Sequence, residues 1–143
     1  MIKRFIDVGI AVKDLDAAAK KYSEVLGVKP RILPRKHYAY SGLKGARFCI
    51  GEVTISLVAS EKAGDPVARF LETRGEGVNH ISFEVTDIEQ DMRDLAGKGV
   101  KLASDRPLAF SDGKVIFAHP KSLHGVQIAF VQAKPGIDLL TGE

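Results

Sequence analysis

Short runs of apolar and β-branched residues alternate along this chain with segments in which apolar residues recur at helical spacing. The short runs predict strands, because β-branched side chains pack well on a pleated sheet. The segments with helical spacing, of which Leu15 to Leu26 is the clearest, predict helices that bury one face. The predicted strands cover residues 5–12, 28–34, 46–50, 53–59, 79–85, 100–102, 114–118 and 126–131. The pattern therefore indicates a chain of mixed strands and helices.

Each predicted helix begins with a residue that can cap its free backbone N–H groups. Asp14 and Asp87 stand directly before helical segments, and short carboxylates of this kind accept hydrogen bonds from the first turn. A third helix begins at Asp65-Pro66, where proline loses no hydrogen bond at the first helical position. Gly27 fits the left-handed residue that ends the first helix. These signals predict the order β-α-β-β-β on each side of a linker helix.

The chain repeats its own pattern at a spacing of 73 residues. The segment DVGIAVKDLDAA from Asp7 aligns with HISFEVTDIEQD from His80. At the same spacing, EVTISLVAS from Glu52 aligns with GVQIAFVQA from Gly125. Two pairs of strand-like segments in register at one spacing indicate two copies of one structural module.

The repeat predicts a single domain built from two half-size modules, and the length of the chain fits one domain. A helical linker joins the modules, and a tail without a clear period is predicted to fray. The domain covers residues 1–143, with the first module at about 1–60, the linker at about 61–76, the second module at about 77–133 and the tail at 134–143.

Composition narrows the class of protein. The chain is 45% hydrophobic and 27% charged, which is the balance of a globular domain and not of a disordered tail. No apolar run approaches the ~20 residues of a membrane span, and no secretory signal pattern is present. The single cysteine, Cys49, cannot form an intramolecular disulfide. We therefore expect a cytoplasmic protein that does not bind membranes.

The charge pattern excludes a further class. The net charge of +3 is spread along the chain, whereas nucleic-acid binders concentrate basic residues on one face or tail. We therefore expect no nucleic-acid partner. The densest basic stretch, between Lys29 and His37, is interpreted as a solvated loop, and the alternative is a collar for an anionic small ligand.

Three segments carry a resemblance to a known superfamily. They are DVGIAVKDLDAAAKKYSEVLG from Asp7, DPVARFLETRGEGVNHISFEVTDIE from Asp65 and GKVIFAHPKSLHGVQI from Gly113. With the doubled βαβββ pattern they resemble the vicinal oxygen chelate, or glyoxalase/bleomycin-resistance, superfamily, and within it the methylmalonyl-CoA epimerase group. The resemblance implies an α+β fold in which two βαβββ modules form an open cup-like mixed sheet, and it implies a homodimer.

In that superfamily the first and last strands of each module supply ligands to a divalent metal. The resemblance places these positions at Asp7 and Ser56 in the first module and at His80 and Ala129 in the second. Alanine has no donor atom and a neutral hydroxyl is a weak ligand, whereas a catalytic metal usually takes three protein ligands. We therefore expect no cofactor, with Asp7 and His80 as the ligands if a divalent metal binds. The family's catalytic acid falls on Leu43, which has no carboxylate.

The surviving polar groups suggest proton transfer. Strand alternation places Asp7 and His80 on faces that would line the cup, so their side chains are candidates for general acid–base catalysis. A carboxylate beside an imidazole raises the pKa of a histidine and fixes its tautomer. The alternative is that the pair only satisfies a site inherited from a metal-binding ancestor. Glu84 is a second candidate acid, and its alternative is a salt bridge at the rim.

Four side chains are candidates for substrate binding: Arg47, Tyr40, Lys44 and Lys121. The planar guanidinium of Arg47 suits bidentate binding of a carboxylate. Tyr40 ends an HYAY loop whose rings can stack on a substrate or simply cover apolar surface. Lys121, in the HPKS stretch, fits a turn, and the alternative is a contact with a CoA phosphate. Cys49 is interpreted as a buried structural cysteine.

These residues lead to one functional hypothesis and two alternatives. The first is an isomerase or epimerase-like enzyme that acts beside a carbonyl of an acyl-CoA thioester, using the Asp7/His80 pair with little or no metal. The second is a protein that binds or sequesters a small molecule without turnover. The third is a metal-dependent epimerase or lyase whose ligands lie at other positions. A fold of this kind hosts many chemistries, so the fold alone leaves all three open.

Overall fold

The structure, a computed structural model, describes residues 1–141, and for Lys36 it describes the backbone only. Within those residues the chain has the predicted α+β fold, with eight strands and three helices. The strands are β1 (Ile2–Ala11), β2 (Arg31–Leu33), β3 (Leu43–Ile50), β4 (Val53–Ser60), β5 (Gly77–Val85), β6 (Leu108–Phe110), β7 (Gly113–Ala118) and β8 (Ile128–Ala133). The helices are α1 (Leu15–Leu26), α2 (Pro66–Arg74) and α3 (Ile88–Gly97), and short 3-10 turns cover Arg35–His37 and Pro120–Ser122. None of the described helices has both the length and the apolar character needed to cross a membrane.

The chain divides into two compact units. The first unit covers Asp7–Asn79, and the second combines Met1–Ile6 with the chain from His80 onward. The strand order is β2-β3-β4-β1 in the first unit and β5-β8-β7-β6 in the second. In each unit the first and last strands along the chain pair in parallel, β1 with β4 and β5 with β8. The other strand pairs within each unit are antiparallel. The two units repeat one topology, as the 73-residue repeat predicts.

One face of the sheet in the first unit carries an apolar core. Phe48 on β3 and Leu57 on β4 are fully buried, and they form one cluster with Leu15 and Ala19 of α1. Burial of an apolar side chain of this size contributes ~1.5–3 kcal/mol. Because side chains alternate along a strand, the neighbours of these residues point to the opposite face, which α1 does not cover.

The second unit has apolar clusters on both faces of its sheet. The cluster beside α3 contains Val85, Ile88, Ile116, Ala118 and Phe130. The cluster on the other face contains Ile6, Val115, Ala129, Val131 and Leu139. This second cluster, which we call the Ala129 cluster, occupies the face whose counterpart in the first unit carries both Asp7 and Ser56 and an apolar cluster around Leu43.

The C-terminal segment packs against the second unit, so the prediction that the tail frays is wrong for residues 134–141. Leu139 is 3% exposed and belongs to the Ala129 cluster. The Leu140 amide and the Arg4 guanidinium both donate to Asp138, at 2.9 and 2.8 Å, and hold the pKa of that carboxyl below its ordinary value. Contacts with residues distant in sequence hold this segment in place, so its own sequence shows no periodic pattern that would predict its burial.

The short strand of the second unit forms later in the chain than predicted. Residues 100–102 do not form a strand, and only an isolated bridge from Leu102 is present there. The Val100 amide instead donates to the Leu95 carbonyl at 3.0 Å, which closes the end of α3. Strand β6 takes the expected place in the β-α-β-β-β order and pairs with β7.

All three helices begin at their predicted caps. The carboxylate of Asp14 accepts from the Ala17 amide at 3.1 Å, and that of Asp87 accepts from the Gln90 amide at 3.1 Å. Asp65 caps α2 in the same way. The internal repeat therefore extends from the strands to the hydrogen bonds that begin the helices.

Removal of either repeated cap is expected to destabilise the fold. Asp14→Ala and Asp87→Ala should each lower the free energy of unfolding by about 1 kcal/mol, because one first-turn amide loses its acceptor. Urea unfolding measures the loss. The control is Asp105→Ala, at a carboxylate that is 92% exposed, for which the expected change is below about 0.5 kcal/mol. Equal losses in all three variants would contradict the capping role.

Candidate functional site

One face of the sheet in the first unit carries polar side chains that are nevertheless buried. They are Asp7, Arg47, Thr54 and Ser56, and we call them the polar face. The strand register places Thr54 beside Asp7 and Arg47 beside Ser56, so all four side chains lie on the same side of the sheet. Buried polar groups are far more informative than exposed ones, because they are retained against a desolvation cost.

A hydrogen bond orients the Asp7 carboxylate. The Ser56 hydroxyl donates to Asp7 Oδ2 at 2.8 Å. The carboxylate is 5% exposed, and the guanidinium of Arg47 supplies an opposite charge on the same face. Hydrogen bonds and opposite charge are what replace water around a buried carboxylate. Asp7 is therefore a carboxylate held in one orientation, as a proton-transfer group needs to be.

The hydroxyl of Tyr38 lies against the same face, above Gly45. A β carbon placed on Gly45 would lie 1.8 Å from Tyr38 Oη and 2.6 Å from the Leu57 carbonyl oxygen. Tyr38 directly follows the Arg35–His37 turn, and the His37 ring contacts it edge-on, with centroids 5.1 Å apart. Glycine is therefore required at residue 45 for the phenol to reach the sheet.

The phenol of Tyr38 stays neutral at physiological pH. Burial raises the pKa of Tyr38 well above its ordinary value, and the charge of Asp7 adds to that rise while the charge of Arg47 opposes it. A neutral phenol is a hydrogen-bond donor. The sequence alone predicts only that Tyr38 lies in an aromatic loop. The available signal was Gly45 itself, since glycine inside a strand often marks a close approach.

His80 lies on β5 of the second unit and is partly exposed. Its ring contacts that of Phe117 edge-on, with centroids 6.0 Å apart. Asp7 belongs to the first unit and His80 to the second, and their pairing stays a prediction.

Glu84 is engaged in ion pairs within the second unit. Its carboxylate is 3.1 Å from Arg4 Nε and 3.6 Å from Lys3 Nζ. The alternative to an acid role was a salt bridge at the rim of the cup. Glu84 does form salt bridges, but its carboxylate is buried and does not lie at an exposed rim. These three side chains line an open pocket of about 440 Å³ together with Gly136, Ile137 and Asp138. The role of Glu84 as an acid stays a prediction.

The residues at the family's metal-ligand positions do not fit a metal. In the first unit, Ser56 uses its hydroxyl hydrogen to bond Asp7. In the second unit, Ala129 is 2% exposed within an apolar cluster and offers no donor atom. Across residues 1–141, no group of three or more His, Cys, Asp or Glu side chains is arranged to hold a metal ion.

The candidate substrate-binding residues lie in different surroundings. Arg47 is buried on the polar face. Lys44 lies on the opposite face of β3, because it is an odd number of residues away, and its ammonium is 3.3 Å from Glu61. Tyr40 packs against the apolar cluster at the end of the polar face. Lys121 is exposed in a 3-10 turn, as the turn interpretation predicts.

The interpretation of Cys49 as a buried structural residue is wrong. Cys49 is exposed, because it is the penultimate residue of β3 and lies beside the Gly51-Glu52 turn. It shares the side of β3 that carries Arg47 but lies at the end of the strand. The apolar cluster beside α1 is instead filled from the other side of β3.

Comparison with known proteins identifies the class. A family described as the Glyoxalase/Bleomycin resistance protein/Dioxygenase superfamily matches residues 7–117. The chain therefore belongs to this superfamily, and its two βαβββ units have the glyoxalase-like fold.

Within the superfamily the chain is similar to epimerases. It is 35% identical over 139 residues to the ethylmalonyl-CoA/methylmalonyl-CoA epimerase of Cereibacter sphaeroides, which covers 92% of this chain and 99% of that protein. The methylmalonyl-CoA epimerase structure from Mycobacterium tuberculosis gives a TM-score of 0.81 at 28% identity, covering 94% and 90% of the two chains. A Streptomyces coelicolor methylmalonyl-CoA epimerase variant in complex with 2-nitronate-propionyl-CoA gives 0.81 at 29%, covering 93% and 99%. The chain is an epimerase-like isomerase.

Proposed function

We propose that this protein inverts the configuration at the carbon beside the thioester carbonyl of a 2-substituted malonyl-CoA, with Asp7 and His80 as proton-transfer groups and without a bound metal. The observation that carries the proposal is the buried Asp7 carboxylate, which the Ser56 hydroxyl orients at 2.8 Å. The names of the related epimerases support the substrate class. A homodimer and a cytoplasmic location remain expectations.

The proposed reaction moves one proton away from the substrate and returns one to the opposite side. The base takes the proton from the α carbon, and the electron pair of the broken C–H bond forms the enolate, whose negative charge lies on the thioester oxygen. A protonated group on the other side then delivers a proton to the α carbon, and the carbonyl forms again. Asp7 accepts the proton and protonated His80 delivers one for one epimer, and the roles exchange for the other epimer.

Arg47, Lys121 and Tyr40 serve to bind the substrate. The Arg47 fork binds the free carboxylate of the malonyl group, because a guanidinium can make two parallel hydrogen bonds to it. The exposed ammonium of Lys121 contacts a phosphate of CoA as a point charge. Tyr40 contributes at the margin of the site, whereas Lys44, which pairs with Glu61 on the other face of β3, is given no part in it.

The proposal predicts α-proton exchange that does not need a metal. Purified protein incubated with methylmalonyl-CoA in D₂O should place deuterium on the α carbon, as followed by mass spectrometry, whereas heat-denatured protein should not. EDTA treatment should leave the rate unchanged, and elemental analysis should find less than one equivalent of divalent metal. No exchange with methylmalonyl-CoA or ethylmalonyl-CoA would overturn the epimerase proposal. Loss of exchange in EDTA with recovery in Co²⁺ would overturn metal independence.

A further inference from the structure

We propose that the Tyr38 hydroxyl donates to the thioester oxygen of the substrate and stabilises the negative charge that develops there, while Arg47, whose fork holds the malonyl carboxylate, adds its permanent positive charge beside it. This inference rests on the proposed function, because that reaction places a negative charge on a carbonyl oxygen. It adds a residue, Tyr38, that the sequence resemblance does not point to.

The strand geometry brings the two groups together. Gly45 and Arg47 lie two residues apart on β3, so they share one face of the sheet at a separation of ~7 Å. The Tyr38 hydroxyl lies above Gly45, where a β carbon would be 1.8 Å away. The phenol therefore lies on the face that carries Arg47 and the oriented Asp7 carboxylate, close enough to both residues for their charges to act on it.

The glycine indicates that the position of the phenol matters. Glycine in the interior of a strand weakens the strand relative to alanine. Residue 45 is buried and its backbone is regular strand, so neither a turn nor a bulge accounts for the glycine. A β carbon there would meet both Tyr38 Oη and, at 2.6 Å, the Leu57 carbonyl oxygen, so the close approach of the phenol is one of two contacts that the glycine permits.

The two groups have the chemistry that an enolate needs. A neutral phenol donates one hydrogen bond, and a guanidinium donates several and carries a permanent positive charge. Donors held in place before the reaction stabilise a developing oxyanion strongly when water is excluded. With Ser56 and Ala129 at the family's metal-ligand positions, such donors take over the stabilisation of that charge.

The test is Tyr38→Phe, which keeps the ring and removes only the hydroxyl. We expect kcat for α-deuterium exchange to fall by about 10²–10³-fold with little change in KM, as for loss of one oxyanion donor. The matched control is Tyr22→Phe, which removes the same group from α1 on the other face of the same unit. Its rate should equal that of the wild type. Exchange by Tyr38→Phe within about threefold of the wild type would overturn the proposal.

A binding measurement separates charge stabilisation from packing. Calorimetry should show that Tyr38→Phe weakens binding of the anionic 2-nitronate-propionyl-CoA at least about tenfold more than binding of neutral propionyl-CoA, since one charged hydrogen bond is lost. Equal weakening of both ligands would assign Tyr38 a packing role and overturn the inference. If wild-type protein shows no exchange, the proposed function fails, and this pair of ligands still tests the role of Tyr38 independently.

Discussion

Asp7→Asn is expected to slow α-proton exchange by about 10³-fold, the centre of the range for loss of a general acid or base. Asparagine has nearly the same shape and can still accept from the Ser56 hydroxyl through its amide oxygen, but it cannot accept the substrate proton. Because the substitution also removes the negative charge on the face that carries the buried Arg47, the melting temperature should fall as well, so kcat is compared at a temperature at which both proteins are folded. Mass spectrometry of the thioester in D₂O gives the rate, and Asp105→Asn, at an exposed carboxylate, serves as the control.

His80→Asn should produce a loss of similar size, because it removes the second proton-transfer group. The matched control is His124→Asn, at an exposed position whose φ of 57° asparagine tolerates. If Asp7→Asn and His80→Asn both exchange at the wild-type rate, the pair has no catalytic role and only completes an inherited site. A loss in one variant alone would assign a single proton-transfer group.

The largest effect on stability is expected for Phe48→Ala. Phe48 is 0% exposed between the sheet and α1, and its ring lies 6.3 Å from that of Tyr22. Truncation removes the buried area and leaves a cavity, which together lower the free energy of unfolding by about 3–5 kcal/mol. Since a domain of this kind has a total stability of about 5–15 kcal/mol, the variant should unfold at clearly lower urea concentration.

A residue on the same side of the same strand provides the comparison. Ile50→Ala changes a side chain that is 39% exposed, at the end of β3, so its expected loss is about 1 kcal/mol or less. Both variants should show the same dependence on urea if unfolding remains a single transition. Equal losses for Phe48→Ala and Ile50→Ala would contradict the assignment of Phe48 to the centre of the core.

Local signals explain which parts of the fold could be predicted. Asp14 and Asp87 were predictable because a capping carboxylate acts on amides only three residues away. The strand β6 was not, because it has three residues and owes its existence to pairing with β7. The burial of Leu139 is not predictable for the same reason, since it depends on residues distant in sequence.

In the candidate site, too, some positions follow from local patterns in the sequence and others do not. Alternation along strands places Asp7 and Ser56 on one face, and a hydrogen bond joins them. The approach of Tyr38 to Gly45 depends on the path of the loop after β2, which no periodic pattern encodes. Cys49 was misplaced because its strand extends beyond the edge of the core.

The packing around Ala129 also determines how well the fold would tolerate a metal-ligating side chain at this position. Glutamate at residue 129 would restore one of the family's metal ligands but would place a carboxylate against Ile6, Val115 and Leu139. An unpaired carboxylate in such surroundings costs several kcal/mol. A glutamate at residue 129 would therefore be tolerated better together with a change in the C-terminal segment that removes Leu139 from the cluster.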